Sequence, residues 1–129
     1  RHNMLTVGTA WAAFGQPEGV FSDHELTFGI HGGDVETSIM LHLRPDLVNM
    51  DKAQNFRSAQ EDFASKFKHL RAHGPHAFGW KAQDLNPAGT VGDASIATAE
   101  KGKASLDHAA RGFVELLQDV HAFDLAHFD

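Results

Sequence analysis

The residues whose types and spacing could support chemistry lie at positions 29–41, in the segment Gly-Ile-His-Gly-Gly-Asp-Val-Glu-Thr-Ser-Ile-Met-Leu. His31 can transfer protons near neutral pH, and the carboxylate of Glu36 can bind a metal ion. The two glycines after His31 permit a tight turn, because glycine tolerates positive φ and close backbone approach. With a turn between them, both side chains could face one point ahead of a helix that starts near Asp34. That point is a candidate site for an anion or a metal-bound water.

A purely structural interpretation of the same residues stays open. Asp34 and Glu36 fall in the first turn of the predicted helix, where free N–H groups and the positive end of the dipole favour carboxylates. A lone histidine beside glycines is typical of a loop. The spacing therefore permits a catalytic or metal-binding site without establishing one.

The element that must position these residues is a helix predicted over 34–44. Val35, Ile39 and Leu43 recur at every fourth position, which is typical of one helix face. Pro45 marks the end, because the residue before a proline is disfavoured in the α region.

Composition bounds the class of protein. The chain has 129 residues, no cysteine, ten histidines and a formal net charge of −6. Its length fits one domain over 1–129, and the acidic balance with no Lys/Arg-rich run argues against nucleic acid as a partner. Thiolate metal sites and disulfides are excluded, and no apolar run has the length of a membrane span. We expect a cytoplasmic protein with no membrane partner.

The N-terminal region is predicted to begin with a buried strand over Met4–Ala10, followed by a Gly/Pro-containing loop over 12–21. The chain starts at Arg1 inside what reads as a structural element, so we expect a fragment of a longer protein. Trp11 and Phe14 beside the loop could line a pocket, or they could be core aromatics at the end of the strand.

The middle region has helical tendency over 51–73, with an apolar stripe that reads as core. That stripe consists of Phe56, Phe63, Phe67 and Leu70. His69 and His73 could share a helix face as metal ligands with His76 nearby, which would suit a histidine-rich metal-storing protein. A solvated helix end is the alternative. Residues 84–93 read as loop throughout.

The last element is predicted as a long helix over Ala94–Phe123, capped by Asp93 or Ser95. Its apolar stripe is expected to face the core and consists of Leu106, Ala110, Phe113, Leu117 and Val120. Gly102 and Gly112 interrupt the helix, and each weakens it by about 1 kcal/mol relative to alanine unless close packing requires a glycine.

Strand, helices, loop and long helix together predict an α/β fold. A single strand cannot form a sheet. The other strands must come from sequence outside this chain, from another subunit, or from segments near 26–28 and 90–91.

The segment 29–41, followed by Arg-Pro-Asp-Leu-Val at 44–48, resembles the creatininase (creatinine amidohydrolase) family pattern His-Ala/Gly-Gly-x-x-Glu-Thr-Ser-x-Met-Leu…Pro…Leu-Val. Phe-Gly-Trp at 78–80 with 84–93 is similar to the late loop of that family, and 97–102 to the start of its last helix. The resemblance covers the chain from Leu5 onward but only the C-terminal half of the family pattern. The Glu-x-His…Asp motif of the N-terminal half is not found.

The resemblance implies the C-terminal part of a three-layer α/β/α sandwich in a homo-oligomer, usually a hexamer. It implies a metal-dependent amidohydrolase acting on a C–N bond of a small, possibly cyclic amide. A divalent metal pair (Zn, Mn or Fe) would be bound mostly by sequence absent from this chain. This fragment alone is expected to bind metal weakly and to be inactive.

Carried over by position, His31 matches the catalytic acid/base and Glu36 the motif glutamate at the metal centre. Trp11 matches a tryptophan that closes over substrate in creatininase. Thr27 and Phe28 stand where creatininase has a substrate-contacting Trp-Asp pair, so Phe28 is a candidate substrate contact. The lack of the Trp-Asp pair argues against creatinine as the substrate. Other branches of the family act on a pyrimidine intermediate of flavin-type cofactor synthesis or on a peptide of mycofactocin maturation, and either class of substrate stays open.

A second hypothesis belongs to a different functional class: a non-catalytic binding or assembly module that has the same fold without the chemistry. It would be revealed if the full-length gene product lacked the upstream Glu, His and Asp ligands.

Overall fold

The longest helix of the structure, a computed structural model that describes residues 4–128, packs along the helix that follows the His31 turn. The helices are α1 (Asp23–Phe28), α2 (Asp34–Leu43), α3 (Gln60–Lys66), α4 (Ala82–Leu85) and α5 (Ala99–Ala122). The strands β1 (Asn55–Phe56) and β2 (Gly92–Asp93) pair antiparallel, with Asn55 opposite Asp93 and Phe56 opposite Gly92. Short 3₁₀ turns cover Trp11–Phe14, Pro45–Leu47, Met50–Lys52, Ala94–Ile96 and Leu125–Phe128.

Helix α2 confirms the prediction from the apolar spacing. It runs over Asp34–Leu43 and ends immediately before Arg44 and Pro45. Its first residue follows Gly33, which serves as N-cap but offers no side-chain acceptor. The free N–H groups of this first turn must therefore find acceptors elsewhere.

Small residues bring α5 close to α2. Gly102, Ser105 and Ala109 are the buried residues of α5. A Cβ on Gly102 would lie 2.0 Å from the carbonyl oxygen of Ser38, so α2 could not approach this closely if the position held any other residue. The expected reason for a glycine inside this helix, close packing, is confirmed at Gly102.

The predicted core face of α5 is wrong. Phe113 is 46% exposed and Leu117 is 50% exposed, although both belong to the apolar stripe expected to be buried. The face that packs is instead the small-residue face, because only short side chains leave room for α2 at that distance. The apolar stripe at helical spacing thus correctly predicted a helix, but the face of α5 that it marks is not the buried face.

The start of α5 also differs from the prediction. The helix begins at Ala99, and Thr98 is its N-cap, with Thr98 Oγ1 accepting from Lys101 N at 3.3 Å. Asp93 caps the separate 3₁₀ turn over Ala94–Ile96 through a hydrogen bond from Ser95 N. Extended backbone at 97 and 98 separates the two elements.

Three further predictions for secondary structure are corrected. Residues 4–10 form no strand, since no described segment pairs with them and an unpaired strand leaves its backbone groups unsatisfied. Within 51–73, the α-helix covers only α3, because 55–56 pair with β2 and the later residues form a loop joined by an Arg71–Ala77 bridge. Within 84–93, part of the expected loop belongs to α4 and β2.

The core lies beside the His31 turn. Ala72, Leu85 and Val91 are almost fully buried there, and the partly buried side chains packed on them are Ile30, Phe63, Phe78 and Trp80. Phe63 therefore fits its predicted core role, whereas Phe67 and Leu70 are each 45% exposed. Across residues 4–128, no helix combines the length and apolar character needed to cross a membrane.

Candidate functional site

The backbone of His31 is fixed by its pairing with Val91. His31 N donates to Val91 O at 3.3 Å, and Val91 N donates to His31 O at 2.7 Å. The hydroxyl of Thr90 lies 2.8 Å from His31 O and 3.0 Å from Gly32 O, and Gly32 has the positive φ of 72° that the turn requires. Because Val91 is fully buried in the core, its pairing with His31 restrains the backbone of that exposed residue.

Glu36 lies in the first turn of α2, where the helix dipole favours a negative charge. The residue is partly buried, and its Oε2 atom is buried without a hydrogen-bond partner among the described residues. Buried polar atoms are normally satisfied. A carboxylate oxygen in this condition is suited to receive a cation or a proton donor from outside the described residues.

Glu25, in α1, is a site residue that the sequence did not reveal. Its side chain is buried, with 2% of the residue exposed. Oε1 accepts from Asp34 N at 2.6 Å, and Oε2 accepts from Asp93 N at 2.9 Å. One carboxylate therefore binds the first residue of α2 and the segment that follows Val91.

Three glycines surround this carboxylate. A Cβ on Gly29, Gly33 or Gly92 would lie 2.2, 2.0 or 2.6 Å from an atom of the Glu25 carboxyl group. Side chains at these positions would displace it. The glycines in the sequence motif thus serve partly to let three backbone segments close around Glu25, in addition to forming the turn.

Burial raises the pKa of Glu25 above its ordinary value of 4.5. The hydrogen bonds from Asp93 N and Asp34 N lower the pKa but do not outweigh the burial, and the negative charges of Asp34 and Glu36 raise it further.

A buried polar network fixes the other side of the α2 N-terminus. Asp34 is fully buried, and its Oδ2 atom lies 2.7 Å from Lys101 Nζ. Ser38 Oγ donates to Asp34 Oδ1 at 2.9 Å and accepts from Thr98 N at 3.1 Å. The starts of α2 and α5 are therefore joined through a carboxylate, an ammonium group and a hydroxyl group.

The two predicted substrate contacts lie in different places. Trp11 borders an open apolar groove of about 400 Å³ along the middle of α5, together with Leu106 and Phe113. Phe28 ends α1 and borders a small cleft beside Glu25. Its ring packs at a tilt against that of His24, with the ring centroids 5.1 Å apart. Phe28 is thus brought near the His31 turn, whereas neither His31 nor Glu36 lines the groove that Trp11 borders.

The histidines considered as an alternative metal site do not share a helix face. The rings of His69 and His76 have centroids 5.7 Å apart, whereas His73 Nε2 lies 3.1 Å from the backbone oxygen of Thr27. Across 4–128, no three or more His, Asp or Glu side chains are grouped so that they could hold a metal ion. Any metal at Glu36 would therefore need ligands from outside the described residues.

A local signal for Glu25 does exist in the sequence. Ser22-x-x-Glu25 has the spacing of a capping box, in which the glutamate would return to the backbone of the serine. Ser22 Oγ does accept from Glu25 N at 3.1 Å, which caps α1. The Glu25 carboxylate, however, reaches two segments that are distant in sequence, and this could not be inferred from the local pattern.

The family model for creatinine amidohydrolases, named Creatininase, matches residues 1–117. This chain belongs to the creatininase family. No curated protein sequence matches it.

Solved creatininase-type structures are similar to this chain. A protein from Bacteroides fragilis NCTC 9343, assigned provisionally as a creatinine amidohydrolase, has 26% identity and a TM-score of 0.65, covering 91% of this chain and 43% of its own. A creatininase described with Mn has 24% identity and a TM-score of 0.51, covering 86% and 41%. A mutant creatininase of Zn–Zn type has 24% identity and a TM-score of 0.53, covering 86% and 41%. The chain thus spans less than half the length of these structures.

The fold class is therefore creatininase-like α/β, as the resemblance implied.

Proposed function

We propose that this chain supplies His31 and Glu36 to the active site of a metal-dependent amidohydrolase that cleaves a C–N bond of a small amide. Membership of the creatininase family supports the reaction class. The observation that supports the site is the buried Oε2 atom of Glu36, which has no hydrogen-bond partner in the described part of the chain.

Glu36 fits a role at a metal centre, as a ligand or as a residue that orients one. Its carboxylate is an appropriate ligand for Zn, Mn or Fe, and its unpartnered oxygen is shielded from water. When bound, a divalent metal pair supplies Lewis-acid polarisation of the amide carbonyl and activation of water. Because four ligands are typical of a single zinc site, the other ligands would come from outside this chain.

His31 is proposed as the acid/base. A ring nitrogen of its imidazole would hold the proton taken from the attacking water and release it to the leaving amide nitrogen. The pairing of His31 with Val91 fixes the backbone from which the imidazole extends, and this restricts its position relative to the bound amide. Phe28 is the apolar side chain that we propose for substrate contact near this point. Trp11 borders the separate groove along α5, so it would contact a substrate only across an interface with another subunit.

The partners follow from the same proposal: a small-molecule amide as substrate, no nucleic acid, and a homo-oligomeric assembly of the family type. The alternative function is a non-catalytic binding or assembly module. Hydrolysis of an amide by the complete gene product distinguishes the two.

The experiment uses the complete gene product with added Mn²⁺ or Zn²⁺ and a panel of amides that includes creatinine, formylated pyrimidines and short peptides. We expect hydrolysis of at least one amide, and a loss of about 10²-fold or more in kcat for His31→Ala and for Glu36→Gln. The matched control His121→Ala, on the exposed end of α5, should keep full activity. Hydrolysis that survives both site variants, or no hydrolysis at all, would contradict the proposal.

A further inference from the structure

Glu25 connects the two backbone segments on which the proposed site stands. Asp34, which donates to Oε1 at 2.6 Å, is the first residue of α2 and lies between His31 and Glu36 in sequence. Asp93, which donates to Oε2 at 2.9 Å, follows the segment that pairs with His31. We call the Glu25 carboxylate with these two N–H groups the carboxylate clamp.

From this geometry we infer that Glu25 is a positioning residue that fixes His31 and Glu36 relative to each other in the proposed active site. The inference rests on the proposed function for its chemical purpose, but the clamp itself rests on contacts within this chain. His31 is held by its pairing with Val91, and Glu36 is held by the start of α2. Both supports are bound to the same carboxylate.

The N-cap of α2 shows why a distant carboxylate is needed. Gly33 occupies the N-cap position and has no side chain to accept from the first N–H groups of the helix. A serine or asparagine at the cap would satisfy a donor locally. At position 33, however, a Cβ would lie 2.0 Å from Glu25 Oε1 and 2.9 Å from the Cα of Gly92. The close approach of the β2 segment therefore requires glycine, and Glu25 replaces the missing local cap.

The enclosure by glycines makes the clamp specific for a carboxylate of this length. Gly29, Gly33 and Gly92 place backbone atoms around the carboxyl group, so it contacts peptide groups instead of water. Among the ion pairs of the described residues, none involves Glu25, and the two backbone N–H groups are its hydrogen-bond donors. A carboxylate that ties together two segments in a water-excluded position fixes them more rigidly than a solvated one would.

The expected consequence concerns geometry more than overall folding. Residues that orient the groups around a metal centre typically change metal affinity by 10–100-fold when they are altered. Glu25→Gln preserves size and one acceptor oxygen but turns an NH₂ group toward one of the two N–H donors. One side of the clamp must then open. Glu25→Asp preserves the charge but is shorter by one methylene and cannot span both donors.

The experiment compares the unmodified complete gene product with its Glu25→Gln and Glu25→Asp variants and with the control Glu115→Gln, which makes the same chemical change on the exposed face of α5. Amide hydrogen exchange is measured at Asp34 and Asp93, with the buried helix residue Ala109 as internal reference. Mn²⁺ is then titrated, and paramagnetic broadening of the NMR signals of residues 31–36 gives the apparent affinity.

We expect both Glu25 variants to exchange faster at Asp34 or Asp93 and to bind Mn²⁺ about tenfold or more weakly, while Ala109 and the Glu115→Gln control are unchanged. Unchanged exchange at both amides overturns the clamp. Faster exchange with unchanged Mn²⁺ affinity shows a purely structural role and overturns the positioning role. If Glu25→Asp binds Mn²⁺ as tightly as the unmodified protein while Glu25→Gln does not, the negative charge matters and the two hydrogen bonds of the clamp do not. That result also overturns the positioning role.

Two further outcomes are separated by design. If the Glu25 variants fail to fold, the clamp is tested in the unmodified protein. Hydrogen-bond scalar couplings between the Glu25 carboxyl carbon and the amide nitrogens of Asp34 and Asp93 must then be present. Their absence overturns the clamp. If Mn²⁺ leaves residues 31–36 of the unmodified complete gene product unaffected, the proposed function fails. The clamp is then still tested by the exchange rates and the scalar couplings.

Discussion

Lys101 Nζ lies 2.7 Å from Asp34 Oδ2, and this ion pair joins the first turns of the two longest helices. The Asp34 side chain is 1% exposed and the Lys101 side chain 26% exposed, so the carboxylate is buried and the ammonium group lies at the rim. Lys101 Nζ also donates to the backbone oxygen of Ile96 at 3.0 Å. The pair therefore fixes the start of α2, and with it the residues on either side of Asp34.

Lys101→Met tests the contribution of this ion pair. The methionine retains most of the alkyl stem but leaves the buried Asp34 carboxylate without its cation, which should lower the free energy of unfolding by about 3 kcal/mol. Urea unfolding measures the change. The control Lys103→Met breaks an exposed pair with Asp107 and should lower the free energy of unfolding far less, because solvent screens that pair. Equal losses in the two variants would contradict the role assigned to Lys101.

Gly102→Ala tests the close packing of α5 on α2. A Cβ there would lie 2.0 Å from Ser38 O, a backbone atom that cannot rotate away, so we expect a loss of about 2–3 kcal/mol. Gly112→Ala is the matched control on the same helix. The three atoms nearest to its Cβ would all belong to the Phe14 side chain, with a ring carbon at 2.6 Å. That side chain can move, and alanine contributes about 1 kcal/mol of helix propensity. Urea unfolding should therefore show a large loss for the first variant and a change near zero for the second.

The stability of the chain should depend on pH through Glu25. Burial raises the pKa of Glu25 above 4.5, so the folded state holds this proton more tightly than the unfolded state does. Its contribution to the free energy of unfolding is then most favourable below the unfolded pKa. It falls as the pH rises from the unfolded pKa through the raised pKa of the folded state.

Urea unfolding of the unmodified chain and Glu25→Gln at a series of pH values from about 4 to about 7 checks this sign. Glutamine does not ionise, so the stability of the unmodified chain minus that of the variant should decrease as the pH rises. The control Glu115→Gln makes the same chemical change at an exposed position and should not reproduce this decrease. A difference that increases with pH would mean that the Glu25 carboxylate is stabilised in the folded state, against its assigned burial.

The elements that the sequence predicted well are those set by local pattern. Helix α2 was located from apolar spacing and from Pro45, and the turn before it from the glycines after His31. The resemblance in the same segment predicted the family. A local pattern succeeds here because helix spacing, the proline stop and the turn each depend on residues only a few positions apart.

What the sequence could not reveal depends on contacts between distant residues. The strand expected over 4–10 has no described partner, and strand formation needs one. The buried face of α5 was misassigned because the approach of Ser38 to Gly102 is a tertiary contact, invisible in the spacing of Phe113 and Leu117. The role of Glu25 could not be predicted for the same reason, because its carboxylate accepts hydrogen bonds from segments far apart in the chain.

A Mn²⁺ titration of the complete gene product, followed by NMR line broadening, tests most directly whether Glu36 and His31 form part of a metal site. We expect the broadening to centre on residues 31–36 and to be lost in Glu36→Gln, but to persist in the double variant His69→Ala/His76→Ala. Broadening that centres on His69 and His76, or that is unchanged by Glu36→Gln, would contradict it.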